Sequence, residues 1–135
     1  MYSIMIVEDE ELVRQGLTSL VNYEQFGMKV IDQAENGRIA WEKFQAQPAD
    51  LLLTDINMPQ LNGLDLAQLV REKAPSCHII FLTGYDDFEF AQKAIRLGAD
   101  DYLLKPFSKA DIEEMLEKVK NKLDEEGKKA QVETL

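Results

Sequence analysis

Three short apolar runs in this chain end on charged residues whose chemistry is complementary. Ile4-Met5-Ile6-Val7 leads into Glu8-Asp9, Leu51-Leu52-Leu53-Thr54 into Asp55, and Tyr102-Leu103-Leu104 into Lys105-Pro106. Parallel strands of one sheet would bring these ends to one edge, where open α/β folds hold their ligands. Three carboxylates and one ammonium would then share a small cleft. Such an acidic cluster is unfavourable without a cation, and it suits Mg2+, which takes one or two carboxylates together with water and phosphate oxygens. A carboxylate beside that cation and an ammonium can attack a phosphoryl group and become an acyl phosphate. In this reading Asp55 is the nucleophile, Glu8 and Asp9 join it as metal ligands, and Lys105 adds positive charge. Thr83, after the run Ile79-Ile80-Phe81-Leu82, can donate a hydroxyl hydrogen bond to the third side of the same group. Glu10 and Glu11 need no such role, because acids at a helix N-terminus are favoured by the helix dipole.

The elements that must position these residues are legible in the hydrophobic pattern. Short apolar runs alternate with segments of helical period, as in repeated βα units around a parallel sheet. Strands are predicted over residues 3–7, 28–34, 51–55, 79–82 and 101–104. The second alternates and carries Lys29 and Asp32, as an edge strand does. Val13, Leu17, Leu20 and Val21 mark the inner face of the first helix. Ala40, Trp41 and Phe44 mark the second, which Asn36-Gly37 opens and Pro48 ends. Leu66, Leu69 and Val70 mark the third, between Asn62-Gly63 and Pro75. The fourth has a thin apolar face of Ala91, Ala94 and Ile95, with Phe88 and Phe90 near its start and Gly98 as C-cap. Ser108 is the expected N-cap of the last helix, whose stripe is Ile112, Met115, Leu116, Val119 and Leu123. Five such units predict a doubly wound (βα)5 α/β fold, with helices on both faces by the right-handed crossover rule. Residues 1–123 make that domain. From Asp124 the chain is mixed in charge without an apolar face, so residues 124–135 read as a charged tail or linker.

Composition narrows the function. A chain of 135 residues can bury a core without disulfides or a structural metal. The formal net charge of −10 argues against binding of nucleic acid or anionic membrane by the chain itself, since phosphate contacts need clustered Lys and Arg. A single cysteine, Cys77, leaves no intrachain disulfide and no Cys-based zinc site. A single histidine, His78, removes most support for His-rich metal ligation or a Ser-His-Asp triad, and it reads as a polar residue opening the fourth strand. No apolar run approaches a membrane span and the first residues lack a signal-peptide pattern, so a cytoplasmic location is expected.

The motifs Val7-Glu8-Asp9-Glu10, Leu53-Thr54-Asp55-Ile56-Asn57-Met58-Pro59, Asn62-Gly63, Leu82-Thr83-Gly84 and Gly98-Ala99-Asp100-Asp101-Tyr102-Leu103-Leu104-Lys105-Pro106-Phe107 stand in one order and spacing. Together they resemble the receiver domains of response regulators in bacterial two-component systems, from about Ser3 to Leu123. The resemblance implies a flavodoxin-like, five-stranded parallel sheet of order 2-1-3-4-5. It implies that Asp55 accepts phosphate from the phosphohistidine of a sensor histidine kinase, and that Glu8, Asp9, Asp55 and the Asn57 carbonyl hold Mg2+. It gives Lys105 the phosphoryl contact, makes the bond to Pro106 cis, and pairs Thr83 with Tyr102 as a switch. The phosphorylated family dimerises or meets partners through the fourth helix, fifth strand and last helix. Asp100-Asp101 and Lys118 with Lys120 bring opposite charges to that face here. Such a protein is a phosphoacceptor switch and not a turnover enzyme.

Two departures stand out. Glu8 occupies a position where many members carry a second Asp, and its longer side chain is expected to reach the metal through water. Gly84 follows the switch threonine and loosens that loop; Asn57 and Tyr85 flank the cleft and tune hydrolysis of the acyl phosphate. The segment Thr83-Gly84-Tyr85-Asp86-Asp87-Phe88-Glu89-Phe90-Ala91 is similar to receivers placed before AraC-type DNA-binding regions, so transcription regulation is one expected output and a stand-alone receiver acting by protein contact the other. A haloacid-dehalogenase-type phosphohydrolase would place its nucleophile after the first strand and add a cap. A flavodoxin-like cofactor binder would need free N–H groups where Glu8-Asp9-Glu10-Glu11 stands.

Overall fold

The computed structural model describes the backbone of residues 1–84, 88–96 and 98–134, and their side chains except those of Phe88, Phe90, Ala91, Ala94 and residues 128–134. The readings made on Tyr85, Asp86, Asp87, Phe88, Phe90, Ala91 and Ala94 lie outside the described residues. Five strands, β1 (Tyr2–Val7), β2 (Met28–Ala34), β3 (Leu51–Asp55), β4 (His78–Thr83) and β5 (Asp101–Leu104), form one parallel sheet in the order 2-1-3-4-5. The helices are α1 (Glu11–Ser19), α2 (Gly37–Ala46), α3 (Gly63–Lys73), α4 (Phe88–Arg96) and α5 (Lys109–Thr134). This is the doubly wound α/β fold that the alternation of runs predicts.

Alternation along each strand divides the core in two. Ile4, Ile6, Leu51, Leu53, Ile80, Leu82 and Leu103 pack with Leu17 of α1 and with Ile112, Met115, Leu116, Val119 and Leu123 of α5. Met5, Val7, Leu52, Ile79 and Phe81 pack on the other face with Ala40 and Phe44 of α2 and Leu66 and Val70 of α3. The central strands are therefore buried on both faces and read as continuous apolar runs, whereas β2, on one edge, is buried only at its two ends. Ile4 pairs with Val30 and Met5 with Asp32, so Ile31 is the extra residue of a bulge in that edge strand.

Register delivers the strand ends to one place. Val7 lies opposite Thr54, Asp55 opposite Leu82, and Thr83 opposite Leu104. Glu8, Asp55, Thr83 and Lys105 consequently leave the sheet along one edge, and the Lys105 N–H donates to the Thr83 carbonyl at 2.6 Å.

Two local expectations are corrected. Leu20 is 63% exposed instead of facing inward, because α1 ends at Ser19 and the chain turns away. A single 3-10 turn, Tyr23–Phe26, follows, and its two aromatic side chains take the place in the core. Leu69 is only half-buried; Ala67, one position off the predicted stripe, is buried. Past Leu123, where the charged tail or linker is expected to begin, α5 continues to Thr134, 26 residues in all and about 39 Å long. Its apolar stripe stops at Leu123, so hydrophobic period carries no signal beyond it, but Glu, Lys and Ala keep high helix propensity and polar contacts begin there. The start of α5 is a reciprocal cap, with the Asp111 N–H donating to Ser108 Oγ at 3.1 Å and the Ser108 N–H to Asp111 Oδ2 at 2.9 Å.

Candidate functional site

At the carboxyl edge of the sheet, one carboxylate oxygen from each of Glu8, Asp9 and Asp55 lies within 4.8 Å of the others. Glu8 is fully buried, Asp55 nearly so, and Asp9 faces solvent at the mouth. The first turn after β1 is fixed by the Glu8 N–H on the Ala34 carbonyl at 3.0 Å and by Arg14 of α1 donating to the Glu8 carbonyl at 2.6 Å. Asp55 Oδ1 accepts the Ile56 N–H at 2.8 Å. Lys105 Nζ reaches across from β5 to within 2.5 Å of Glu8 Oε1 and 3.4 Å of Asp55 Oδ2. The four groups that the strand ends predicted are thus in one cluster.

The electrostatics of the cluster favour added positive charge. Burial pushes the Glu8 carboxyl up to about 8, and the neighbouring Asp55 adds to this while Lys105 opposes it. Asp55 is also raised, first by burial and then by Asp9, against the lowering influence of Glu8 and Lys105. Burial alone would lower Lys105, but its close contact with Glu8 and the charge of Asp55 outweigh it and the ammonium is raised. One ammonium does not satisfy three carboxylates. Glu8 Oε1 is buried without a well-directed hydrogen bond and meets Lys105 only as a charge. A buried carboxylate oxygen with no well-directed donor, inside an all-oxygen acidic triad that one ammonium leaves net negative, is a fit for a hard divalent cation such as Mg2+.

The remaining predicted residues lie on the loop after β3 and on β4, β5 and the turn that follows it. Asn57 is exposed in the loop after Asp55, between the buried Ile56 and Met58. Thr83 is fully buried, one register position past Asp55, and its hydroxyl donates to the Gly84 carbonyl at 3.1 Å. Tyr102 pairs with Phe81 in the sheet and packs half-buried against the second core. The Lys105–Pro106 peptide is cis.

Two glycines contribute in a way that sequence reasoning missed. A Cβ on Gly63 would lie 2.0 Å from the Asp55 carbonyl oxygen, and a Cβ on Gly37 would lie 2.0 Å from the Leu61 carbonyl oxygen. The Asp55 loop is therefore pressed between the starts of α2 and α3, with the Gly63 N–H on the Ile56 carbonyl at 2.8 Å and the Arg38 N–H on the Gln60 carbonyl at 2.9 Å. Gln60 and Leu61 hold positive φ angles of 53° and 86°, an unfavourable conformation for a bulky side chain that the loop's anchors sustain. The pairs Asn36-Gly37 and Asn62-Gly63 are visible in the sequence as turn signals, and each Asn caps its helix, accepting from Ile39 N and Asp65 N. Which backbone each glycine abuts is visible only in three dimensions.

Residues 4–117 match the family profile described as the response regulator receiver domain. The chain belongs to that family. This receiver domain is 42% identical to the receiver domain of AraT, a response regulator from Geobacillus stearothermophilus, with a TM-score of 0.90 over 93% of this chain and 98% of that one. It is 35% identical, with a TM-score of 0.81, to a two-component transcriptional regulator AraC from Clostridium phytofermentans, covering 87% of this chain and 92% of that one. Among curated relatives it is 44% identical over 119 residues to the sensory transduction protein LytR of Staphylococcus haemolyticus, a match that takes in 88% of this chain and 45% of LytR. It is 34% identical over 119 residues to the uncharacterized transcriptional regulatory protein YesN of Bacillus subtilis, covering 88% of this chain and 32% of YesN. The receiver domain thus spans less than half of the length of these curated relatives. Family membership makes it a signalling domain of a two-component system and sets aside the phosphohydrolase and cofactor-binder readings.

Proposed function

We propose that this receiver domain accepts a phosphoryl group on Asp55 from the phosphohistidine of a sensor histidine kinase and passes the change to an output region. The observation that carries this reading is the meeting of four groups from three strand ends: the Glu8, Asp9 and Asp55 oxygens within 4.8 Å, and Lys105 Nζ 3.4 Å from Asp55. Glu8, Asp9, Asp55 and the Asn57 carbonyl would hold Mg2+. When bound, that ion neutralises charge on the carboxylates and on the oxygens of the phosphoryl group. An Asp55 carboxylate oxygen attacks phosphorus, the P–N bond to the kinase imidazole breaks, and its electron pair stays on that nitrogen. Lys105 stabilises the negative charge of the transferred group. Thr83 turns its hydroxyl from the Gly84 carbonyl to a phosphoryl oxygen, and the half-buried Tyr102 ring moves into the space it leaves. The domain catalyses only its own phosphorylation and dephosphorylation. Names among the relatives support a transcription-regulating output of the AraC type. A cytoplasmic location belongs to the same reading; among the described residues no helix is long and apolar enough to cross a membrane.

Acetyl phosphate with Mg2+ tests the acceptor chemistry. Intact mass is expected to show one added phosphoryl group on the wild type, none on Asp55→Ala, and none on the wild type when EDTA removes the metal. Equal modification of Asp55→Ala, or no modification of the wild type, would overturn the assignment.

We infer, further, that the phosphorylated domain dimerises through α4, β5 and α5. A groove of about 260 Å3 between β5 and α5, lined by Asp101, Tyr102, Leu103, Asp111, Glu114 and Lys118, mixes apolar wall with both signs of charge. Asp100 is not available to it, because Arg71, His78 and Lys122 occupy that carboxylate within the domain. Sedimentation with beryllofluoride and Mg2+ should show a dimer where the untreated protein is a monomer; an unchanged monomer contradicts this.

A further inference from the structure

At the edge of the sheet opposite the acidic cluster, the one histidine of the chain is held between two carboxylates. His78, the first residue of β4, is buried, as its place at a strand start did not predict. Its Nδ1 lies 2.8 Å from Asp100 Oδ1 and its Nε2 3.0 Å from Glu126 Oε1. Asp100, before β5, is fixed by several groups: the Ile79 N–H at 2.7 Å, Lys122 of α5 at 3.7 Å and Arg71 of α3 at 3.9 Å. Asp50, before β3, faces the same corner, its carbonyl accepting the His78 N–H at 2.9 Å and its side chain taken by the Ser3 N–H at 2.8 Å. Glu126, by contrast, is 53% exposed.

A neutral imidazole has one N–H and one lone pair, whereas the imidazolium donates from both nitrogens. Carboxylate oxygens at both nitrogens therefore match the charged ring. The bond to Asp100 holds the imidazole above its ordinary value against the opposing effect of burial, and Glu126 adds to it. Burial would raise Asp100, but hydrogen bonds from His78 and the Ile79 N–H prevail and lower it. When the ring loses a proton, Nδ1–H remains on the many-bonded Asp100. The Nε2 lone pair then faces the carboxylate of Glu126, which is free to turn to water.

The position of Glu126 gives this consequence. It lies beyond Leu123, the last core residue of α5, where attachment to the body is polar: the Tyr2 hydroxyl donates to Asp124 at 2.5 Å, and His78 meets Glu126. We propose that His78, gripped by Asp100 and Glu126, is a latch that fastens the C-terminal extension of α5 to the amino-terminal edge of the sheet while the ring is charged and releases it when the ring becomes neutral. The latch sets the direction in which the chain leaves the domain, and it does not depend on phosphorylation of Asp55.

The sign follows from the raised value. The link is fully present below about pH 6.5, the ordinary imidazole value, and is lost as pH rises through the higher value of the folded protein. Because His78 is the only histidine, its ring signals in an NMR titration of the full chain report this group alone. Amide-exchange protection of residues 124–127, corrected for the intrinsic rate at each pH, is expected to fall about fivefold through the same midpoint as the ring. Glu126→Gln should remove that dependence and move the ring midpoint down toward its ordinary value. Protection that stays flat through the His78 titration, or that responds to pH equally in Glu126→Gln, overturns the proposal.

Discussion

Replacing Lys105 with alanine is expected to slow phosphoryl acceptance from acetyl phosphate by about 100- to 1000-fold, the usual cost of removing one fixed stabiliser of transition-state charge. The ammonium bridges Glu8 and Asp55 at 2.5 and 3.4 Å. Without it two buried carboxylates face each other, both already raised by burial, and a proton becomes their readiest partner. Glu8, the more strongly raised of the two, takes that proton and holds Asp55 through it, so the variant loses the fixed charge that receives the phosphoryl oxygens and the partner that orients the attacking carboxylate. The loss of folding stability is limited, because that proton neutralises the pair in place of the ammonium. Mg2+ should compensate as well, raising the thermal unfolding midpoint of Lys105→Ala more than that of the wild type, since binding to the native state alone stabilises it. A wild-type rate in the variant would mean that Lys105 neighbours Asp55 without serving it.

The second large effect is steric. Gly63→Ala is expected to lower stability by about 1–3 kcal/mol in urea unfolding and to reduce phosphoryl acceptance as well. The new Cβ would sit 2.0 Å from the Asp55 carbonyl oxygen and 2.9 Å from the Ile56 Cα. Both are backbone atoms, so no flexible side chain can yield; α3 or the Asp55 loop must shift. Either shift moves the carboxylate that Ile56 and Lys105 now orient. Gly84, around which nothing lies within 4 Å of an added Cβ, is the matched control, and Gly84→Ala should leave stability within about 0.5 kcal/mol. Equal behaviour of the two variants would contradict the close approach.

Much of this architecture is written in the chain because the central strands are buried on both faces. Leu51–Asp55 has sharp borders, since an apolar run gives way at once to charge and turn residues. The same abrupt change marks the site: Glu8, Asp55 and Lys105 are charges at the ends of runs that belong inside. Where the signal was local and weak, sequence reasoning stopped short. Leu20 fits the helical period of α1 but falls after its end, and a single 3-10 turn is too short to show a period of its own. Contacts between distant residues leave no trace in spacing. His78 meets Asp100 and Glu126 across 22 and 48 residues, which is why α5 beyond Leu123 reads as a tail and why the histidine reads as an ordinary strand opener. The pressure of Gly63 on Asp55 is of the same kind: the Asn-Gly pair announces a turn but not what the turn touches.

The account depends most on Asp55 being the single carboxylate that takes the phosphoryl group in the shared pocket with Glu8, Asp9 and Lys105. Borohydride reduces an acyl phosphate to the alcohol with release of phosphate, so the modified aspartate becomes homoserine, lighter than the parent acid by one oxygen exchanged for two hydrogens, a stable marker that peptide mass analysis can place. After treatment with acetyl phosphate and Mg2+, the reduced position is expected at Asp55 alone. Reduction at Glu8, Asp9 or any carboxylate outside the cluster would contradict the account.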